Sequence, residues 1–267
     1  MKIAIIGAGN MGGGIARALA KGNKVATEDV YVSNPSMAKL SALKNEFPEI
    51  NVTQSNVEFV CEADVIIIAV KPWKVQQVIE EIKPVVDYAS QTIVSVVGGL
   101  GFDQLCEWLD KGDGMLPPTY IIIPNTAIAV MESMTFISSV HSSASMNVAI
   151  SDIFAESGKV MFVEEAAITA GTALASCGIA YAMRYIRAAM EGGVELGLRP
   201  VEAQKVVEQT LLGAVRLLAE SGNHPEAEID KVTTPGGLTI RGLNAMEAAG
   251  FTNSVIEGLR ASVKKNG

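Results

Sequence analysis

The chain has 267 residues, 49% hydrophobic and 19% charged, enough for one large domain or two ordinary ones with a sizeable packed core. A formal charge of −8 and a pI near 4.9 count against nucleic acid as a main partner. They leave room for a small anion held in a local nest of backbone amides. Cys61, Cys106 and Cys177 are too sparse and too widely spaced for a disulfide framework or a zinc motif. His141 and His224 have no second ligand at metal spacing, so reduced thiols in a cytoplasmic protein and no metal are expected.

Lys2 to Ile6 is a short apolar run that ends in glycine and predicts a buried strand. It is too brief for the apolar region of a secretion signal. Gly7 to Gly14 is a glycine-rich turn, and Ile15 to Lys21 continues as helix. Val30 to Ser33 is a second strand, and Ser36 to Glu46, opened by Pro35, is helical. Asp64 to Val70 is a third strand, followed by Thr92 to Val97, Tyr120 to Ile123, Met134 to Ser138 and Lys159 to Val163. Helical patterns such as Phe102 to Leu109 lie between them. Apolar strands alternating with helices imply a mostly parallel sheet covered on both faces.

The pattern changes after Glu164. Long helices are expected at Ala166 to Leu198, Pro200 to Ser221, Leu238 to Ala249 and Thr252 to Lys264, with Pro200 starting a helix and Gly222 ending one. The chain therefore reads as an α/β domain over residues 1–164 and an all-helical domain over residues 165–267. Ala166 to Met183 carries no charge and approaches the length of a membrane span. Its small and hydroxylated residues suit a helix packed closely on other helices better than lipid, so no membrane partner is expected.

Gly7-Ala-Gly-Asn-Met-Gly12 is a G-x-G-x-x-G between a strand and a helix, the context in which this pattern signals a dinucleotide. Gly7 permits the tight turn, Gly9 the approach of a pyrophosphate, and Gly12 the packing of helix on strand, while the helix N-terminus, Asn10 and Met11 included, faces the phosphates. The first domain is therefore read as dinucleotide-binding. An enzyme using NAD usually carries Asp or Glu at the end of the second strand, about 20 residues on. Here Ser33-Asn-Pro-Ser36 stands there, with Lys39 the nearest cation and no arginine alongside. Hydroxyl and amide donors without a carboxylate favour NADPH, with NADH possible. Ala69, Val70, Lys71 and Pro72 end one strand at the sheet's carboxyl edge, where ligands bind. Asn125 follows another. Lys71 is either a ligand or a solvated lysine, and Asn125 either a ligand or a turn former.

Thr233-Thr-Pro-Gly-Gly-Leu-Thr239 precedes a helical pattern. Proline and paired glycines before a helix leave its first N–H groups free for a carboxylate, and Thr239 falls in the first turn with its hydroxyl toward the same ligand. The alternative is a plain helix cap.

This segment resembles the signature of pyrroline-5-carboxylate reductases, a S/T-P-G-G-x-T core before an apolar helix. Gly7 to Gly12, Ala69 to Pro72, Pro124 to Thr126, Glu191 to Leu198 and Gln209 to Leu218 resemble that family in the same order. The resemblance implies an N-terminal Rossmann-type domain, NAD(P)H-dependent reduction of 1-pyrroline-5-carboxylate to proline, and a C-terminal helical domain that interlocks two subunits as a homodimer or higher oligomer. It implies that Thr239 faces the ring nitrogen. Gly236, Gly237 and Leu238 would surround the carboxylate, with Thr234 beside them. Ser33, Asn34 and Asn56 would lie near the adenosine phosphate, and Ala69, Lys71 and Pro72 near the nicotinamide half. The family usually reads S-G-x-G-P-A-Y before its long helix. Here Ala175-Ser-Cys-Gly-Ile-Ala-Tyr181 puts Ile179 in place of the proline and Cys177 at a glycine-type position, so the helix is expected to run on. Ser176 stays a candidate substrate contact.

Two other functions fit the same architecture. One is another imine reductase or a β-hydroxyacid dehydrogenase; the latter needs a lysine on the long helix, and Ala166 to Met183 has none. The other is a nucleotide sensor without catalysis, which has no use for the Thr-Pro-Gly-Gly-Leu-Thr segment.

Overall fold

In the computed structural model, which describes residues 1–263, side chains of Ile3–Ile6 (β1) alternate between two apolar layers. Ile3 and Ile5 join one buried cluster, Ala4 and Ile6 the other. Val65–Ile68 (β4) repeats the division, with Val65 and Ile67 on the first side and Ile66 and Ile68 on the second. A strand with both faces buried has no polar side, so these runs lack the alternation of a half-exposed strand.

The remaining strands are Val30–Ser33 (β2), Asn51–Thr53 (β3), Thr92–Ser95 (β5), Thr119–Ile123 (β6), Ser133–Val140 (β7) and Gly158–Phe162 (β8). They form one sheet in the order β3-β2-β1-β4-β5-β6-β7-β8. Every neighbouring pair is parallel except β6 and β7. The connection from Pro124 to Glu132 holds only a short 3-10 turn, Thr126–Val130, too short for a parallel crossover, so β7 returns antiparallel. The order reverses between β1 and β4, so their carboxyl ends open a crevice of the kind where α/β sheets bind ligands.

Helices cover both faces. Asn10–Lys21 (α1), Met37–Glu46 (α2) and Ala144–Ala155 (α6) supply Ile15, Leu19, Leu40, Leu43, Ile153 and Phe154 to the first cluster. Short Val57–Val60 (α3), Val75–Ile82 (α4) and Phe102–Leu109 (α5) serve the second. In α4 the buried residues are Val75, Val78, Ile79 and Ile82, one helical stripe.

Three differences from the sequence reading concern this part. The first helix begins at Asn10, inside the glycine turn, instead of at Ile15. The edge strand β3 and helix α6 carried no expectation. Strand ends are trimmed, with β4 stopping at Ile68 and β5 at Ser95.

Glu165–Gly171 (α7) passes through a π-helical turn, Thr172–Cys177, into Gly178–Glu195 (α8). The helix does run on where Ile179 replaces proline, but through a widened turn. The stretch Glu165–Glu195 is long and apolar enough to cross a membrane by length and composition. The burial expected for it is confined to its first part, at Ile168, Gly171, Ala173 and Ala175; α8 has no buried residue.

The chain divides into two compact units, Met1–Ser176 and Cys177–Gly267. The second contains α8, Pro200–Ser221 (α9), Pro225–Val232 (α10), Leu238–Ala248 (α11) and Phe251–Val263 (α12). Helix α10 was not anticipated, and the end expected at Lys264 lies outside the described residues. Within this unit, Tyr181 donates its hydroxyl to the Gly258 carbonyl at 3.2 Å, and the Tyr185 and Phe251 rings meet edge-on at 6.4 Å. Among its described hydrophobic residues only Ala203 is fully buried, while Met183, Leu196, Val206, Leu217 and Leu238 are exposed.

Candidate active site

The glycine turn is built by exclusion. Gly7 has φ of +108°, and a Cβ there would stand 2.6 Å from the Ala69 carbonyl oxygen. A Cβ on Gly12 would overlap the Gly7 carbonyl and approach Ala69 Cβ at 2.9 Å. At Gly9 the position of a Cβ is open, with nothing within 4 Å. The first two glycines thus let chain segments touch, and the third leaves free space at the mouth of the turn. That is the arrangement a pyrophosphate needs, so the residues present fit a dinucleotide.

Gly9 stands immediately before α1 with no side-chain cap, and the first helical bond runs from Gly13 N–H to Gly9 O at 2.8 Å. The N–H groups of Asn10, Met11 and Gly12 therefore lie ahead of the helical ladder. Met11 packs its side chain on the core, while Asn10 is exposed.

The end of β2 is tied to this turn. Gly7 N–H donates to Ser33 O at 2.8 Å, and Ala8 N–H to Asn34 Oδ1 at 3.1 Å. Asn34 Nδ2 in turn donates to Ser36 O at 3.2 Å. Ser33, nearly buried, donates its hydroxyl to Asn56 Oδ1 at 2.8 Å, and Asn56 Nδ2 donates to Glu81 Oε2 at 2.9 Å. The small donors expected to hold a 2′-phosphate are thus largely engaged with one another.

A cavity of about 220 Å³ opens beside them, lined by Gly9, Asn10, Gly13, Arg17 and Lys39. Arg17 was missed from the sequence because it lies on α1, away from the β2 loop in the chain, and reaches the cavity where α1 passes α2. Its Nε donates to Glu46 Oε2 at 2.6 Å and its Nη1 to Gly13 O at 3.2 Å.

At the next strand end, Ala69 N–H donates to Ile6 O at 2.9 Å, and Ala69 and Val70 are half-buried against the glycine turn. Lys71 is exposed and starts the 3-10 turn Pro72–Lys74. Asn125 is buried and engaged at three atoms. Its N–H donates to Ser133 Oγ at 3.2 Å, its Nδ2 to Ala175 O at 3.4 Å, and its Oδ1 accepts from Ala127 N–H at 3.0 Å. Next to it, Ser176 Oγ donates to Pro124 O at 3.0 Å.

In the helical unit, Gly237 N–H donates to Thr234 O at 2.9 Å, with Pro235 second in the turn and Gly236 third at φ of +72°. These are the residues and dihedral sign of a type II turn. A Cβ on Gly237 would stand 2.5 Å from Thr234 Oγ1. Helix α11 then starts at Leu238 with no side-chain cap, so the Leu238 and Thr239 N–H groups are open, and Thr239 is exposed. The Gly237 N–H, by contrast, is used by the turn itself.

The family profile described as pyrroline-5-carboxylate reductase dimerisation matches residues 165–267. That described as NADP oxidoreductase coenzyme F420-dependent matches residues 2–99. Pyrroline-5-carboxylate reductase 2 of Dictyostelium discoideum is 34% identical over 277 residues, an alignment that takes in 99% of this chain and 91% of that protein. The chain belongs to the pyrroline-5-carboxylate reductase family.

Pyrroline-5-carboxylate reductase 1 of the same organism is 35% identical over 275 residues, 98% of this chain but 49% of that protein, so this chain spans about half its length. A Plasmodium falciparum pyrroline carboxylate reductase, solved with NADP bound, superposes with a TM-score of 0.89 at 27% identity and covers 98% of this chain and 95% of its own. The helical profile begins at residue 165, at the start of α7, whereas the compact units part after Ser176. The stretch from α7 to Ser176 therefore belongs to the family's helical segment in sequence and packs with the sheet in space.

Proposed function

We propose that the chain reduces 1-pyrroline-5-carboxylate to L-proline, with NADPH as the favoured hydride donor and NADH also accepted. It is an NAD(P)H-dependent oxidoreductase of a cyclic imine. The observation that carries the reading is the Thr234–Gly237 turn, which opens the Leu238 and Thr239 N–H groups at the start of α11. Two convergent donors on a rigid helix end suit a carboxylate.

Bound NADPH supplies the hydride, which adds to the imine carbon. The protein residues do the rest. The Gly7–Gly12 turn holds the pyrophosphate, while Ser33, Asn34 and Asn56 take the adenosine side. Ala69, Val70, Lys71, Pro72 and Asn125 form the wall on the nicotinamide side. Gly236, Leu238 and the turn that Thr234 and Gly237 close hold the carboxylate, and Thr239 Oγ1 accepts from the protonated ring nitrogen and orients it. A protonated imine is already electrophilic, so bringing the imine carbon to about 3–3.5 Å from the hydride-donating carbon would be the main contribution required of the protein. Ser176 presents only lone pairs, its hydrogen being held by Pro124 O.

Residues 1–164 form the dinucleotide domain and 165–267 the helical domain in this reading. The exposed apolar faces of α8 to α12, far more than a monomer's isolated surface residues, support a homodimer or higher oligomer. The test is nucleotide oxidation by the full chain over a panel of five- and six-membered cyclic imino acids with both nucleotides. Turnover of the five-membered acid supports the reading; nucleotide binding without turnover on any member overturns it.

A further inference from the structure

Ser33, Asn56 and Glu81 form a chain of side-chain hydrogen bonds that the reaction does not use. A carboxylate only accepts, so Glu81 Oε2 must receive an N–H from Asn56. The bond, 2.9 Å to Asn56 Nδ2, therefore fixes which end of the amide faces which neighbour. Asn56 Oδ1 is left toward Ser33, and an amide oxygen also only accepts. The single hydroxyl hydrogen of Ser33 is drawn to it at 2.8 Å. Ser33 Oγ is then left with lone pairs and no donor for anything beyond the protein.

We propose that Glu81 is a positioning residue for nucleotide choice, holding Ser33 as an acceptor through Asn56 at the adenosine ribose. A ribose 2′-hydroxyl donates to such an oxygen. A 2′-phosphate, acceptor-only and negative, gains nothing from it and meets a carboxylate one side chain behind. The chain of bonds therefore favours NADH and tempers the phosphate preference that Arg17 and Lys39 supply from the neighbouring cavity. The inference rests on the placement of Ser33 and Asn56 beside the adenosine moiety in the proposed function.

The measured quantity is the ratio of kcat/KM with NADPH to kcat/KM with NADH. Glu81 is exposed on α4, where alanine suits the helix, so Glu81→Ala leaves the fold in place. It frees the Asn56 amide to turn and Ser33 to donate, and the ratio is expected to rise about fivefold or more, the size of one hydrogen bond. Removing a remote negative charge also raises this ratio, so Ser33→Ala and the double variant complete a cycle. If Glu81 acts through Ser33, the effect of Glu81→Ala on the ratio shrinks in the Ser33→Ala background to the smaller part due to its charge alone. An equal effect in both backgrounds overturns the relay and leaves the site placement standing. Kinetics of Ser33→Ala unchanged with both nucleotides overturn the placement, and the proposal with it. A shift of the ratio below about twofold in Glu81→Ala overturns the proposal directly.

Discussion

Ser176 donates its hydroxyl to the carbonyl of Pro124 at 3.0 Å, joining the π-turn Thr172–Cys177 to the carboxyl end of β6. Pro124 is buried, so Ser176→Ala leaves its carbonyl short of this partner. An orphaned buried carbonyl costs about 1–3 kcal/mol. The expected result is a lower midpoint in urea at unchanged slope, measured on the full chain. An unaltered midpoint would mean that the π-turn keeps its place without this bond.

The neighbouring Asn125 shows what sequence reading could and could not supply. Its position after an apolar strand was legible, and so was the choice between ligand and turn former. Which of the two holds depends on Ala175, 50 positions away, and on Ser133. The strong apolar runs of β1 and β4 and the bounded helices α5 and α9 were legible because their signals are local: unbroken apolar runs, a Pro start, a Gly stop. β3 was not, being a short edge strand of only half-buried residues. α10 has no buried face to impose a pattern. The Thr234–Gly237 turn was readable from Pro and Gly alone, but the loss of the Gly237 N–H to Thr234 O was visible only in three dimensions.

Tyr88 links the second core cluster to alkaline stability. Burial pushes its phenol up to about 12, with the charges of Asp113 and Asp110 acting in the same direction. Its hydroxyl donates to Leu109 O. The folded state therefore keeps a proton that the unfolded chain releases near pH 10. The contribution is complete below about pH 10 and is lost as pH rises toward 12. Urea midpoints should fall between about pH 10 and 12 in the wild type. Tyr88→Phe should flatten that fall, and an identical slope in both would remove Tyr88 as its source.

Arg17 makes a prediction about the nucleotide phosphate. Its Nε is held by Glu46 and its Nη1 by Gly13 O, and it lines the same cavity as Lys39. A charged hydrogen bond to a phosphate is worth about 1.5–3 kcal/mol, so Arg17→Ala should raise the KM for NADPH about tenfold or more. The KM for NADH should change by less than about twofold, since no contact of that size is lost. Rising salt should weaken NADPH more than NADH in the wild type, because mobile ions screen the extra charge of the 2′-phosphate. Equal losses with both nucleotides would show that Arg17 acts on the fold of α1 and not on the phosphate.

Thr239 carries the catalytic prediction. It stands in the first turn of an uncapped helix, exposed, one residue after Leu238, whose N–H is open. In the proposed function a hydroxyl at that place would accept from the protonated ring nitrogen while the helix start would hold the carboxylate, so that one rigid element would fix both ends of the substrate. Thr239→Ala removes the nitrogen contact and leaves the carboxylate contacts. If the contact is stronger in the transition state than in the bound imine, kcat falls by about tenfold or more, equivalent to about 1.4 kcal/mol. Thr239→Ser, which keeps the hydroxyl, should recover most of the loss. A fall confined to KM would assign Thr239 to uniform binding, and unchanged kinetics in a folded variant would remove it from the site.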